Sequence, residues 1–182
     1  INATTACVDC AAGSVQALTG KSFCDACAIG KFITLGGQSA CDPCASGSFS
    51  NDTGFSLCLQ CAFGTFQGAT DQSLCLDCLA GKFNALTGQS ACAECGTGRY
   101  TNINSTTVCV SCDPGSVQPL TAKTVCNLCA TGTFQLAPGL AACDDCPAGQ
   151  FANNTGSQSC IQCPESQFQG LVQQSQCNEC TE

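Results

Sequence analysis

The sequence has no His, Met or Trp and only one Tyr, and charged residues make up 10% of its 182 residues. Without His the chain lacks the most common general base of enzymes and the imidazole ligand that metal ions favour. No phosphate-binding loop and no convergent carboxylate pair takes the place of His. We therefore expect that the protein is not an enzyme and that it needs no cofactor.

Positive charge is also scarce, because the formal net charge is −8 and the five cations stand singly, at Lys21, Lys31, Lys82, Arg99 and Lys123. Phosphate binding needs clustered cations, so nucleic acid is not an expected partner. Gly, Asp, Ser or Thr interrupts every apolar run well short of the roughly 18 residues of a membrane span. We expect no membrane insertion by this segment.

Cysteine is the residue that the chain has in excess, with 22 copies. Usage above about 8–10% predicts a disulfide scaffold in a secreted chain. A reducing cytosol would keep such thiols apart, so we expect a secreted or cell-surface location. The chain has no initiating Met and starts inside a repeat, so we expect a mature or excerpted segment.

The cysteines form eleven Cys-x-x-Cys motifs at an unbroken 17-residue period. Such a period predicts a single tandem array over residues 1–182, in which each repeat mainly contacts its neighbours. Residues 102 apart are identical at 39 of 80 pairs, which predicts a six-repeat super-repeat of 102 residues, with random drift as the alternative. The repeats begin at Cys7, Cys24, Cys41, Cys58, Cys75, Cys92, Cys109, Cys126, Cys143, Cys160 and Cys177.

Two further positions recur when each repeat is counted from its first cysteine. Position 7 is Gly in nine of ten full repeats, with Ser166 as the exception. Position 9 is Phe or Tyr in eight, with Val15 and Val117 in the others. Glycine suits a backbone with positive φ, and the aromatic two residues later is expected to point inward from a short strand as the core.

Strand and turn signals recur once in every repeat, whereas no apolar run has helical spacing for more than a turn. The predicted fold is small, disulfide-rich and mostly irregular, with short β-hairpins in an elongated solenoid-like tandem array of 17-residue units. Position 12 is usually apolar as well, but one aromatic and one or two aliphatics per repeat bury too little surface to order the chain. Covalent bonds are expected to supply the difference.

Spacing alone leaves three uses for the cysteines: disulfides, four-cysteine zinc sites and redox chemistry. Redox chemistry is disfavoured because seven motifs carry an acid between the cysteines and none carries a base, and negative charge opposes the thiolate. Zinc is a weaker alternative because few cations would compensate the dianionic sites. If disulfides form, the second cysteine of a repeat pairs with the first of the next, or repeats pair in twos, and spacing cannot decide.

The stretch Cys27-Ala28-Ile29-Gly30-Lys31-Phe32 followed by Cys41 resembles the single-disulfide module of tumour necrosis factor receptor ectodomains. The array as a whole is more similar to the ephrin-receptor-like cysteine-rich repeats of extracellular proteins. That resemblance implies no catalytic residues and no common ligand. Ser166, Val15 and Val117 depart from the pattern and imply locally looser repeats.

The resemblance also implies a ladder of disulfides, which leaves Cys7 and Cys180 to pair outside the segment. The implied bonds are Cys10–Cys24, Cys27–Cys41, Cys44–Cys58, Cys61–Cys75, Cys78–Cys92, Cys95–Cys109, Cys112–Cys126, Cys129–Cys143, Cys146–Cys160 and Cys163–Cys177.

Four Asn-x-Ser/Thr sequons, at Asn2, Asn51, Asn104 and Asn153, predict N-linked glycans as partners. Acids within the motifs form a solvated face rather than a Ca²⁺ site, because no loop has calcium-binding spacing. The uniform repeats favour an extracellular structural protein, a rod, stalk or filament that self-associates or continues as the same array. A receptor or adhesion ectodomain that binds a protein or glycan is the alternative.

Overall fold

The computed structural model describes residues 9–18 and 22–180, so Asn2, Cys7 and Lys21 lie outside the described residues. The described part contains no helix, and its strands form ten antiparallel two-stranded hairpins. This confirms the predicted disulfide-rich fold of short hairpins in tandem. The hairpins are β1 (Ser14–Val15) with β2 (Asp25–Ala26), β3 (Lys31–Phe32) with β4 (Asp42–Pro43), β5 (Ser48–Phe49) with β6 (Leu59–Gln60), β7 (Thr65–Phe66) with β8 (Leu76–Asp77), β9 (Lys82–Phe83) with β10 (Ala93–Glu94), β11 (Arg99–Tyr100) with β12 (Val110–Ser111), β13 (Ser116–Val117) with β14 (Asn127–Leu128), β15 (Thr133–Phe134) with β16 (Asp144–Asp145), β17 (Gln150–Phe151) with β18 (Ile161–Gln162), and β19 (Gln167–Phe168) with β20 (Asn178–Glu179).

Nine of the ten hairpins begin with a turn that the position-7 glycine makes possible, and in the tenth Ser166 adopts positive φ, 68°, at the same place. In the second repeat Gly30 has φ 84°, and the amide of Lys31 donates to the carbonyl of Ala28 at 3.0 Å. Positive φ at the third residue of a four-residue turn is the geometry of a type II turn, which glycine adopts without strain. The chain then enters β3, where Phe32 lies opposite Asp42 of the next repeat.

Ten disulfides close these hairpins, each joining the second cysteine of one repeat to the first cysteine of the next at a sequence separation of 14. Cys27–Cys41 is representative, with Cα atoms 5.7 Å apart. The bonded pairs are Cys10–Cys24, Cys27–Cys41, Cys44–Cys58, Cys61–Cys75, Cys78–Cys92, Cys95–Cys109, Cys112–Cys126, Cys129–Cys143, Cys146–Cys160 and Cys163–Cys177. Cys180 is a free, exposed thiol.

The chain divides into two compact units. The first comprises Ile1–Cys78 with Asn84–Cys92 and contains the hairpins from β1 to β8, and the second comprises Leu79–Phe83 with Ala93–Glu182 and contains those from β9 to β20. The same backbone contacts between repeats recur inside each unit.

In the second compact unit the backbone hydrogen bonds between repeats include two made by Gly98, the position-7 glycine of its repeat. The Gly98 amide donates to the carbonyl of Gln118 at 2.7 Å, and its carbonyl accepts from the Cys112 amide at 2.9 Å. The Gly139 amide donates to the Cys112 carbonyl at 2.8 Å. Neighbouring repeats therefore satisfy one another's main-chain groups without an extended sheet.

A second requirement for glycine at position 7 comes from the carbonyl of position 14 two repeats further along the chain. A Cβ on Gly98 would lie 1.9 Å from the carbonyl oxygen of Gly139, and a Cβ on Gly13 would lie 2.1 Å from that of Gly54 in the first compact unit. No side chain fits at such a distance. At most position-7 glycines the residue thus serves both the turn and a close backbone approach, whereas Gly149 has no atom within 4 Å of the Cβ position.

The prediction that position 9 forms the core is wrong. Most of its aromatic rings are only partly buried, because each described hairpin has only two strands of two residues and offers little surface to cover a ring. The most buried side chains are instead the position-4 cysteines, such as Cys27 and Cys112, both 0% exposed. Val117 is the exception at position 9, with a side chain that is 7% exposed.

Candidate functional site

The residue at position 10 lies at the junction between repeats, where its carbonyl accepts from the position-7 amide of the preceding repeat, as Gln118 does from Gly98. It is buried in nine of the ten full repeats, and in seven of those nine it is polar. The buried residues at this position are Ile33, Ser50, Gln67, Asn84, Thr101, Gln118, Gln135, Ala152 and Gln169. The junction, here the disulfide together with the position-7 and position-10 residues around it, is therefore polar inside.

A glutamine at position 10 ties down the loop that follows it. Gln118 is 3% exposed, its Oε1 accepts from the Leu120 amide at 3.0 Å, and its Nε2 donates to the Val125 carbonyl at 2.6 Å. Gln67 makes the same pair of bonds to Ala69 and Leu74, at 3.0 and 2.8 Å. Because both ends of the carboxamide are bonded, its burial carries no unpaired polar group.

The same arrangement recurs in other repeats. Gln135 and Gln169 make both bonds as well. Across the described part of the chain, no buried side-chain nitrogen or oxygen lacks a partner. Sequence reasoning missed this position because it assigned the interior to apolar residues. The available signal was the recurrence of Gln at position 10 in five of ten full repeats, at Gln16, Gln67, Gln118, Gln135 and Gln169.

Position 12, two residues beyond, faces solvent although it is usually apolar. Leu120 is 57% exposed, and Leu35 and Ile103 are comparably open. These side chains contribute little to the interior. They leave each repeat with an aliphatic group on its outer loop.

Charged groups lie on the outer surface of the junction in the second compact unit. The Nζ atom of Lys82 lies 3.2 Å from Oε1 of Glu94, and Thr121 Oγ1 donates to Oε2 of Glu94 at 3.1 Å. The hydrogen bond from Lys82 and then that from Thr121 lower the pKa of the Glu94 carboxyl from its ordinary value. The arrangement links position 3 of one repeat to position 13 of the next.

The structure offers little for metal chemistry in the part of the chain that it describes. Residues 9–18 and 22–180 contain no group of three or more His, Cys, Asp or Glu side chains arranged to hold a metal ion. The twenty bonded cysteines present disulfide sulfurs, whereas zinc requires thiolates. Four-cysteine zinc sites are therefore not formed by this arrangement.

Three of the asparagines predicted to carry glycans are exposed: Asn51, Asn104 and Asn153. Oδ1 of Asn104 accepts from the Ala80 amide at 2.9 Å, and Oδ1 of Asn153 accepts from Asn154 Nδ2 at 3.0 Å. Both bonds use the carboxamide oxygen and leave Nδ2, the atom that would carry the sugar, unoccupied by them. The fourth predicted site, Asn2, lies outside the described residues.

Comparison with known proteins gives one match, which lies within the second compact unit. Residues 115–159 match one family model. Its description is tyrosine-protein kinase ephrin type A/B receptor-like. The match confirms the predicted resemblance to ephrin-receptor-like cysteine-rich repeats, and it indicates an extracellular receptor-type module. No curated protein matches the chain.

The ephrin-receptor-like match and the ten disulfides fit an extracellular location. Among the residues that the structure describes, none belongs to a helix that could cross a membrane.

Proposed function

We propose that the chain is an extracellular structural element, a glycosylated rod, stalk or filament without catalytic activity. The observation that carries the proposal is the repetition of one junction: the same disulfide and the same backbone hydrogen bonds recur from repeat to repeat in both compact units. A structural element needs every junction to resist strain equally. A uniform series of covalent junctions meets that need.

The ladder also limits how far the chain can be stretched. Each disulfide bypasses the loop between its cysteines, so the covalent path through a repeat is Cys-x-x-Cys plus one bridge with a Cα–Cα distance of 5.7 Å. Three residues extend about 11 Å and a free 17-residue repeat about 60 Å. The oxidised chain therefore has little more than a quarter of the extensibility of the reduced chain.

Single-molecule stretching tests this mechanical role. Without reductant, we expect the array to show no release of hidden length before it detaches. With a thiol reductant under force, each reduced disulfide should release about 45 Å. Extension of oxidised repeats to about 60 Å each would contradict the proposal, and so would electron microscopy of native material that shows compact globules instead of fibres or stalks.

Glycans are part of the same proposal, supported by the exposure of Asn51, Asn104 and Asn153. The native chain should lose mass on glycosidase treatment, and Asn→Gln substitution at each site should remove one glycan. Asn102→Gln is the matched control, because Asn102 is exposed but is followed by Ile103 and Asn104 and forms no sequon. An unchanged mass after treatment would overturn this part.

The second candidate is a receptor or adhesion ectodomain, and the family match at residues 115–159 favours it. The sequence that flanks the array in the full protein discriminates between the two. A membrane span and a signalling domain would support the receptor, and further repeats of the same period would support the structural element.

A further inference from the structure

A shallow cleft borders the one tyrosine-containing repeat of the array. It lies in the second compact unit, has a volume of about 290 Å³, and is bordered by residues from β11, from the loop after it, and from the next two repeats. Tyr100 of β11, Val125 and Leu128 contribute apolar groups to its lining. Asn102 and Asp113 contribute polar groups at the rim.

One residue that lines the cleft departs from the repeat pattern. Tyr100 is the one tyrosine of the chain, at a position that is Phe or Val in the other repeats. Its hydroxyl is the one polar group that any full repeat has at position 9. A binding site requires a repeat that differs from its neighbours, and this place provides one.

The lining chemistry selects a class of ligand. The partly buried phenol ring and the exposed aliphatic groups of Val125 and Leu128 offer apolar surface. The Tyr100 hydroxyl, the Asn102 carboxamide and the Asp113 carboxylate offer donors and acceptors at the edge. No Lys or Arg lines the cleft, all of whose lining residues are described, so nothing there attracts phosphate, sulfate or a carboxylate.

We infer that this cleft binds a neutral saccharide of one or two rings. A sugar ring presents apolar C–H groups on its face and hydroxyls on its edge, which match an aromatic and aliphatic wall with a polar rim. The volume lies at the lower limit for small-ligand sites and suits a ligand of that size. The inference does not depend on the proposed structural role, because a structural element needs no such site.

The composition of the chain supplies the assay. With one Tyr and no Trp, the intrinsic fluorescence of the intact oxidised chain reports on Tyr100 alone. Titration with the methyl glycosides of glucose, galactose and mannose should give a saturable change for at least one, with a dissociation constant on the order of 1 mM for so open a site. Absence of a saturable change with all three would overturn the inference.

Two variants test whether the cleft itself binds. Tyr100→Phe restores the residue of the other repeats and should leave thermal unfolding unchanged, but the lost hydroxyl should weaken binding about five-fold by calorimetry. Asp113→Asn should also weaken binding. The matched control Tyr100→Phe/Phe134→Tyr moves the reporter to a position that does not line this cleft, and its fluorescence should not respond. Unweakened binding in both cleft variants, or binding only of charged sugars or peptides, would refute the assignment.

Discussion

Positions 10 and 12 of each repeat lie two residues apart and have opposite surroundings. Gln118 is polar and 3% exposed, whereas Leu120 is apolar and 57% exposed. The interior of the junction is set by where the backbone crosses and where the disulfide lies, and polar side chains enter it because they find hydrogen-bond partners there. In this fold, the distance of a side chain from the junction determines its burial more than its apolar or polar character does.

The largest expected loss in the free energy of unfolding comes from a substitution at the closest approach between repeats. Gly98→Ala places a Cβ 1.9 Å from the Gly139 carbonyl oxygen, so the backbone must move. We expect a loss of at least about 3 kcal/mol in the free energy of unfolding. Guanidinium unfolding with the disulfides intact measures it.

Gly149→Ala is the matched control for that variant. Gly149 has φ 82° and Gly98 has φ 73°, but no atom lies within 4 Å of a Cβ at position 149. The control should lose only about 1 kcal/mol from backbone strain. Equal losses in the two variants would show that the close approach of Gly98 to Gly139 contributes nothing.

A smaller loss in the free energy of unfolding is expected when the polar residue at position 10 is made apolar, and almost none when the apolar residue at position 12 is made polar. Gln118→Leu removes both bonds that hold the following loop, and we expect a loss of about 2 kcal/mol. Leu120→Gln changes an exposed side chain and should stay within about 0.5 kcal/mol. Amide hydrogen exchange over residues 118–126 measures both, and a greater loss for Leu120→Gln would reverse the comparison.

A gain in the free energy of unfolding is expected from a substitution at position 14, where every described residue has positive φ. Ala122 has φ 56°, whereas Gly139 and Gly156 hold the same position with glycine. Ala122→Gly should raise the free energy of unfolding by about 0.5–1 kcal/mol, because it removes the strain of the left-handed region. Ala130→Gly, at an exposed residue without positive φ, should instead lower it slightly.

The smallest expected effect on stability is the pH dependence that the exposed acid Glu94 contributes. Lys82 and then Thr121 lower the pKa of this carboxyl in the folded state, so its contribution to stability is present above the unfolded pKa and is lost as pH falls through the folded pKa. A carboxyl titration followed by NMR should place the midpoint for Glu94 below the ordinary value. In Lys82→Gln the midpoint should rise, and an unchanged midpoint would mean that the ion pair does not form in solution.

Much of the fold could be predicted from the sequence, because the features that define it are local and periodic. The glycines at position 7, such as Gly30, predicted turns with positive φ, and the short strands after them were expected from Gly-x-Phe. The resemblance implied the pairing of Cys27 with Cys41, and the family match supports the resemblance over residues 115–159.

The interior could not be predicted in the same way. Rules that place apolar residues inside selected Phe32 and overlooked Ile33 beside it, which is the buried residue of the two. Polar residues at the same position, such as Gln118, were overlooked because their partners are loop groups that come together only in three dimensions. The close approach of Gly98 to Gly139 had no sequence signal beyond the glycines themselves.

The central claim is that sulfur bridges between adjoining repeats, with polar junctions around them, hold this protein in shape. Amide hydrogen exchange on the oxidised chain and on the same chain reduced and alkylated tests it most directly. We predict that the amides of Gly98 and Gln118, which donate across junctions at 2.7 and 3.1 Å, are protected when oxidised and exchange freely after reduction. Protection that survives full reduction would contradict the account.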